Sequence, residues 1–361
     1  MRYRKQAEFT AIFILPAVLV HGVSRLPRPV IEKYYSTGIY PYISLVLKKC
    51  FGWLPISIGD LLYGCFGVWL LLRLIALARK FLKGEPRAAF LKNAVFRLLK
   101  IVLLLYTCFN LLWGLNYNRA GIAAQLQLSS GAVNEANLAH MDSLLLQKVN
   151  ENRRALPGGA IQGITKRALF TAAVAAYDTV AKQYPFLQYR GGTSVKASLW
   201  GWLGNYVGFT GYYNPFTGEA QVNTSVPQFF QPFTTCHEIA HQLGYAKENE
   251  ANFVAYLVAA QSGDTLLRYS AYLELFLYTN HTHYLQDSVS AKMLARQLDT
   301  AVKSDLEEWA KFSGRYKNPA APVIRWLYGK YLEGNQQPEG VQSYDRATSL
   351  LIAYYKKFGK I

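Results

Sequence analysis

Two histidines four residues apart, with a glutamate beside the first, stand in the stretch "CHEIAHQLGYAKENEANFVAYLVAAQSG", residues 236–263. Four residues make just over one helical turn, so His237 and His241 share a face with their imidazoles one above the other. That spacing lets both bind one zinc ion at about 2.0–2.1 Å. Glu238 sits one position round the helix. It is too far off the face to be a third ligand, but it can reach a water on the metal, as the base of an H-E-x-x-H arrangement does. The chemistry this predicts is hydrolysis of a carbonyl compound, with Glu238 taking the proton of the attacking water and passing it to the leaving amine.

A catalytic zinc needs a third protein ligand and an open position for water. The segment "KENEANFVAYLVAAQSG" reads as a second helix and offers Glu248 and Glu250. Glu250 shares a face with Phe253, Val254 and Leu257, the side expected to pack onto the first helix. An inward carboxylate on an apolar face needs a partner, and a metal is a good one. Glu250 is therefore the predicted third ligand. Glu248, on a smaller and more polar face, reads as a helix-start residue favoured by the dipole. Cys236 reads as a small buried apolar side chain. The developing oxyanion needs a further donor beside the metal. Candidates C-terminal to the metal helices are Tyr269 in "RYSAY" and Tyr344 and Arg346 in "SYDR". Glu219 is a candidate substrate contact, although a role in the "NPFTG" turn at 214–218 is the stronger reading.

These side chains need elements to hold them. Pro232 suits a helix start and Gly244 a helix stop, which predicts a helix from 232 to 243. The aromatic- and glycine-rich stretch 198–225 reads as a hairpin or small sheet. Within it, "GEAQVNT" (218–224) reads as a strand before the metal helix, and the resemblance of the H-E-x-x-H segment to zincins implies that this strand forms the edge of the cleft, where extended peptide could pair. From 227 onward the pattern is almost entirely helical. The expected fold class is mostly α (α+β), with a small sheet before the metal helix.

The rest of the chain points to a membrane. Of 361 residues, 51% are hydrophobic and the formal charge is +17. Residues 1–119 hold 17 Lys/Arg against 4 Asp/Glu, and residues 120–361 hold 22 against 18, so the basic excess belongs to the apolar N-terminal part. No basic stripe with interleaved aromatics predicts a nucleic-acid partner. Three segments, 7–24, 56–78 and 98–117, approach the roughly 20 residues that cross a bilayer. The loop between the first two, 25–55, is too charged to span and reads as an interfacial or loop helix. Lysine and arginine are concentrated at the start and in 79–100, which the positive-inside rule places in the cytoplasm. This divides the chain into a membrane domain, 1–117, and an extracytoplasmic domain, 118–361. The lipid bilayer and a peptide or protein substrate are the expected partners.

"HEIAHQLG" followed by "ENEANF" resembles the glutamate zincins, metallopeptidases whose third ligand comes from a helix after H-E-x-x-H. The N-terminal spans, "WGLNYNR" at 113–119, "GYYNPFTGEAQVN" at 211–223 and "GVQSYDR" at 340–346 are together similar to an uncharacterised family of bacterial membrane proteins, domain of unknown function 3810. The resemblance covers nearly the whole chain and implies a zincin-like external domain on a bacterial inner membrane; the site residues themselves call for one Zn2+ per chain. The expected function is that of a membrane-anchored zinc metallopeptidase. A zinc amidase acting on cell-wall or small amides would use the same residues. A zinc-stabilised sensor or scaffold would have no need of Glu238 and would favour four protein ligands.

Overall fold

A computed structural model of the chain describes residues 2–83, 87–129, 134–156, 161, 163–335 and 344–361, and the side chains of these except 2–10, 87–91, 344 and 345. Residues 340–343 of "GVQSYDR" lie outside the described residues. The N-terminal part contains α1 (Arg2–Ser24), α2 (Arg28–Ile31), α3 (Tyr40–Phe51), α4 (Ile58–Leu82) and α5 (Arg87–Leu112). A π-helical stretch, Glu32–Ile39, joins α2 to α3. Next come α6 (Ile122–Gln125), α7 (Glu135–Ala155), α8 (Lys166–Ala181), β1 (Val195–Ala197), α9 (Gly201–Val207), β2 (Gly211–Asn214) and β3 (Glu219–Val222). The chain ends in α10 (Gln231–Gln242), α11 (Glu248–Ala260), α12 (Thr265–Gln286), α13 (Ser288–Ala295), α14 (Thr300–Gly314), α15 (Ala321–Gly334) and α16 (Tyr344–Phe358).

Two helices, Ile58–Leu82 and Lys92–Leu112, are long and apolar enough to cross a membrane. The first expected span lies in a 23-residue helix, Arg2–Ser24, and would make a third crossing only as part of a bent pair. Ala11–Ser24 passes only together with Arg28–Phe51, from which it is bent by 113°. The third segment is helical only to Leu112, and residues 114–118 tighten into a 3-10 turn, Gly114–Asn118. The 25–55 loop is largely helical. Its helix α3 buries Tyr40, Ser44 and Lys48. Those side chains pack on the part of the chain that carries the histidines.

The sheet is small and mixed, in the order β1–β3–β2. β3 pairs parallel with β1 and antiparallel with β2, Tyr212 facing Gln221 and Tyr213 facing Ala220. The hairpin is where the Gly- and aromatic-rich pattern put it. However, β3 is the central strand, so the strand at 218–224 does not form the cleft's edge. The edge is β2. The main core gathers α7, α8, α10, α11, α12 and α16, with Phe229, Cys236, Ile239, Phe253, Leu273 and Phe276 buried among them.

Glu219 ties the sheet to the membrane helix. It is fully buried. Its carboxylate accepts from Gly59 N at 2.6 Å, Ile58 N at 3.2 Å and Thr217 Oγ1 at 2.9 Å. A helix begins with backbone N–H groups that lack intrahelical partners, and a carboxylate there satisfies them and meets the positive end of the dipole. Glu219 is thus part of its turn, as expected, and also the anion at the start of α4. It is not a substrate contact. Asp60 extends the same junction, its Oδ2 accepting from Leu199 N at 2.6 Å and Ser198 Oγ at 3.2 Å. Glu219→Ala should destabilise the protein by about 1.5–3 kcal/mol, the scale of hydrogen bonds to a charged group. Thermal unfolding in detergent checks this, and an unchanged midpoint would contradict the capping role.

Candidate metal centre

α10 is built as its sequence dictates. Pro232 occupies its first turn, where a missing N–H costs nothing. It ends as Gly244 takes a φ of +84°, a left-handed conformation that favours glycine. A Cβ at Gly244 would also stand 2.9 Å from the Tyr40 ring and 3.0 Å from Asn116 Oδ1. The histidine rings lie 4.7 Å apart, centre to centre, and perpendicular.

His241 is oriented by its own chain. Its Nδ1 lies 2.7 Å from the carbonyl of Tyr245, which can only accept, so Nδ1 carries the proton and Nε2 keeps a lone pair for the site. Burial lowers its pKa to about 4, with His237 adding to the effect against the opposing pull of Glu248. That environment keeps the imidazole neutral, the form that binds metals. Burial would also lower His237. Glu248, 3.3 Å from its Nε2, outweighs that, and the pKa is pushed up to about 9. Burial raises Glu248 in turn, but the two imidazoles and the hydroxyl of Tyr328 hold its carboxylate down at about 2. Tyr328 donates to Glu248 Oε1 at 2.9 Å.

The third acidic partner is therefore Glu248, where Glu250 had been expected. One ligand atom from each of His237, His241 and Glu248 lies within 4.8 Å of the others. Glu250 faces the opposite way. Its carboxylate fills the space that a Cβ on Gly121 would occupy, near Lys247 and Arg119. Arg119 itself is held by Glu32, Nη2 to Oε1 at 2.7 Å and Nε to Oε2 at 3.0 Å. The helix-face argument failed because α11 is buried on nearly every side, from Glu250 through Ala259. With no solvent face, pointing inward does not distinguish the site from the core. The row Glu248–Asn252, one turn apart, is the one that faces His237.

Glu238 lies beside this cluster, within electrostatic reach of His237 and Glu248. It is buried, and its Oε2 has no hydrogen-bond partner. Its other oxygen lies so close to β2 that a Cβ on Gly211 would stand 2.7 Å from it. Burial pushes its pKa up to about 8, with Glu248 adding to the rise and His237 opposing it. His237, Glu238, His241 and Glu248 open into one cavity of about 1020 Å³. Glu274 lines the same cavity, and burial raises it to about 7.

Neither Tyr269 nor Arg346 lines this cavity. Tyr269 is fully buried and donates to Asp305 Oδ2 at 2.6 Å, beside the guanidinium of Arg153. Tyr344 begins α16, with its side chain outside the described residues. Arg346, on the first turn of α16, lies on the Lys247 side, with Glu250. The phenol that does reach the acidic partner is Tyr328. Nothing in the spacing around Tyr328 separates it from the other 25 tyrosines; only the fold of α15 over the cleft does.

The fit to zinc is chemical as well as spatial. Two imidazoles and a carboxylate are a donor set that zinc takes in catalytic sites. Separations of 3.3 Å and 3.9 Å between Glu248 and the two Nε2 atoms suit ligands around one ion with little adjustment. Glu248→Ala should lower zinc content from about one equivalent to a small fraction, since two remaining ligands hold the ion poorly. Glu250→Ala should leave zinc content near that of the parent. Metal analysis of the purified full chain distinguishes the two, and the reverse pattern would restore Glu250 as ligand.

No curated protein and no solved structure matches the chain. A family model described as "Protein of unknown function (DUF3810)" matches residues 35–352. That span takes in α3, both membrane-length helices, the sheet and the whole cavity, and the chain belongs to this family.

Proposed function

We propose that the protein is a membrane-anchored zinc hydrolase of peptide bonds, with residues 118–361 on the extracytoplasmic side. The observation that carries the reading is the combination at one end of α10. Three ligand-type atoms converge within 4.8 Å, and the buried, unpartnered Oε2 of Glu238 stands beside them. A purely structural site needs no such carboxylate and favours four protein ligands. Among the described residues this cluster has three.

In this reading His237, His241 and Glu248 hold the ion, which when bound supplies Lewis acidity and lowers the pKa of a coordinated water toward 7. Glu238 takes the proton from the attacking water and delivers it to the leaving amine. The hydroxyl of Tyr328 holds Glu248 in position and lies on the cavity wall. β2 favours an extended peptide over a small amide. Among the described residues its outer edge pairs with no strand, and Gly211 and Tyr212 line the cavity beside Glu238. The zincin resemblance of "HEIAHQLG" points the same way, and the extracytoplasmic placement rests on the charge bias of the N-terminal segments.

Glu238→Gln keeps the size of the side chain but cannot take the proton. It should retain the metal and lose at least about 10²-fold in peptide hydrolysis, the lower scale of general-base catalysis. Zinc content and turnover of a peptide library by the reconstituted protein are the two readouts. Loss of zinc in the variant would make Glu238 part of the binding site, and full turnover would place water activation elsewhere.

A further inference from the structure

The geometry points to a cleft whose mouth lies in the membrane interface and which takes peptides carrying an apolar, membrane-inserted portion. This deepens the hydrolase reading and rests on it.

One wall of the cavity is the membrane region itself: Tyr63 from α4, Phe109 from α5, and Trp113 and Tyr117 just beyond α5. The opposite wall is formed by α9 and α15, which pack on one another. Both helices turn apolar side chains outward. Trp202 is 55% exposed, Trp326 61% and Leu327 55%. Tryptophan and leucine on an outward face, with Arg325 and Lys330 beside them on α15, are the composition of a helix lying in the headgroup region.

The depth of α9 follows from what it touches. Trp200, at its N-terminal end, donates from Nε1 to Asp60 O at 3.0 Å, and its ring would meet a Cβ on Gly64 at 2.8 Å. α4 has 25 residues, so it is roughly 37 Å long at 1.5 Å per residue. A hydrocarbon core is roughly 30 Å thick. Gly64 lies about 9 Å from the start of the helix, and so just inside the apolar boundary. The exposed apolar surface of α4 begins at the same level, with Leu61 and Leu62. α15 joins there as well, through the Tyr117 and Tyr331 hydroxyls at 3.3 Å. The outward faces of α9 and α15 thus continue the apolar belt of α4 and α5. A substrate entering between them would bring its apolar part along lipid and its scissile bond to Glu238.

Two measurements on the full chain in phosphatidylcholine–phosphatidylglycerol vesicles test this without needing turnover. In the first, Cys50, Cys65 and Cys108 are changed to Ser. A nitroxide is then attached in turn through W202C, L327C and, as a solvent control on α7, E151C. Collision with oxygen should exceed collision with a water-soluble nickel complex at 202 and 327, and the ratio should invert at 151. A ratio at 202 and 327 equal to that at 151 overturns the interfacial placement. In the second, one ten-residue benzophenone peptide is offered with a chelator present in three forms: bare, palmitoylated, and joined to a 20-leucine segment. Labelling of α9, α15 or β2 by either membrane-borne form above the bare one supports the substrate class, and shows whether a lipid chain or an apolar helix is the anchor. Equal labelling by all three, or by none, overturns it. Zinc content of the same preparation, measured without chelator, reports separately on the hydrolase reading.

Discussion

A helix that carries two imidazoles into a buried site must also end there, and its last carbonyls need partners that water cannot supply. For α10 those partners come from the N-terminal part of the chain. Trp113 donates from Nε1 to His241 O at 3.0 Å, and Tyr40 donates to Gln242 O at 2.9 Å. Ser44 donates to Gln242 O at 3.1 Å, and Arg119 reaches Leu243 O at 3.4 Å. Each unsatisfied buried carbonyl would cost about 1–3 kcal/mol. The end of α10 is therefore fixed by α3 and by the segment that follows α5.

The site inherits that fixity. Gly244 must turn tightly under Tyr40 and Asn116, which returns the chain so that the carbonyl of Tyr245 meets Nδ1 of His241. One hydrogen bond at the end of the helix thereby chooses the tautomer that presents Nε2. Gln242, also buried, spans the gap to the sheet, donating to Gly218 O at 2.7 Å and Ser194 O at 3.1 Å. The sheet in turn holds Glu219 at the start of α4. The membrane-length helices, the sheet and α10 form one chain of hydrogen bonds. The N-terminal part is accordingly more than a tether: it shapes the end of the helix that bears the candidate ligands and forms one wall of the cavity.

Local signals were the ones legible in the sequence. Pro232 and Gly244 bracketed α10 because proline at a helix start and glycine at its stop act on the backbone within a turn. The pairing of His237 and His241 follows from helix geometry alone. The hairpin at 211–222 was marked by its glycines and aromatics. The choice between Glu248 and Glu250 depended on what packs around α11, and a helix buried on all sides has no amphipathic face from which to read it. The order of strands, with β3 central, depends on β1 arriving from before α9. The roles of Tyr40, Ser44 and Trp113 depend on contacts some 130 to 200 residues apart in sequence. The first apolar segment lies in α1, and the sharp bend between its Ala11–Ser24 part and the helices after it leaves no mark in composition.

The central claim is that α10 and α11 hold one zinc ion with a position left for water. Zinc K-edge X-ray absorption of the full-length protein in lipid tests it most directly. The account predicts a first shell of two imidazole nitrogens, one carboxylate and one exchangeable light atom at about 2.0–2.1 Å, without sulfur. A sulfur shell, four protein ligands, or a protein that takes up no zinc would contradict it.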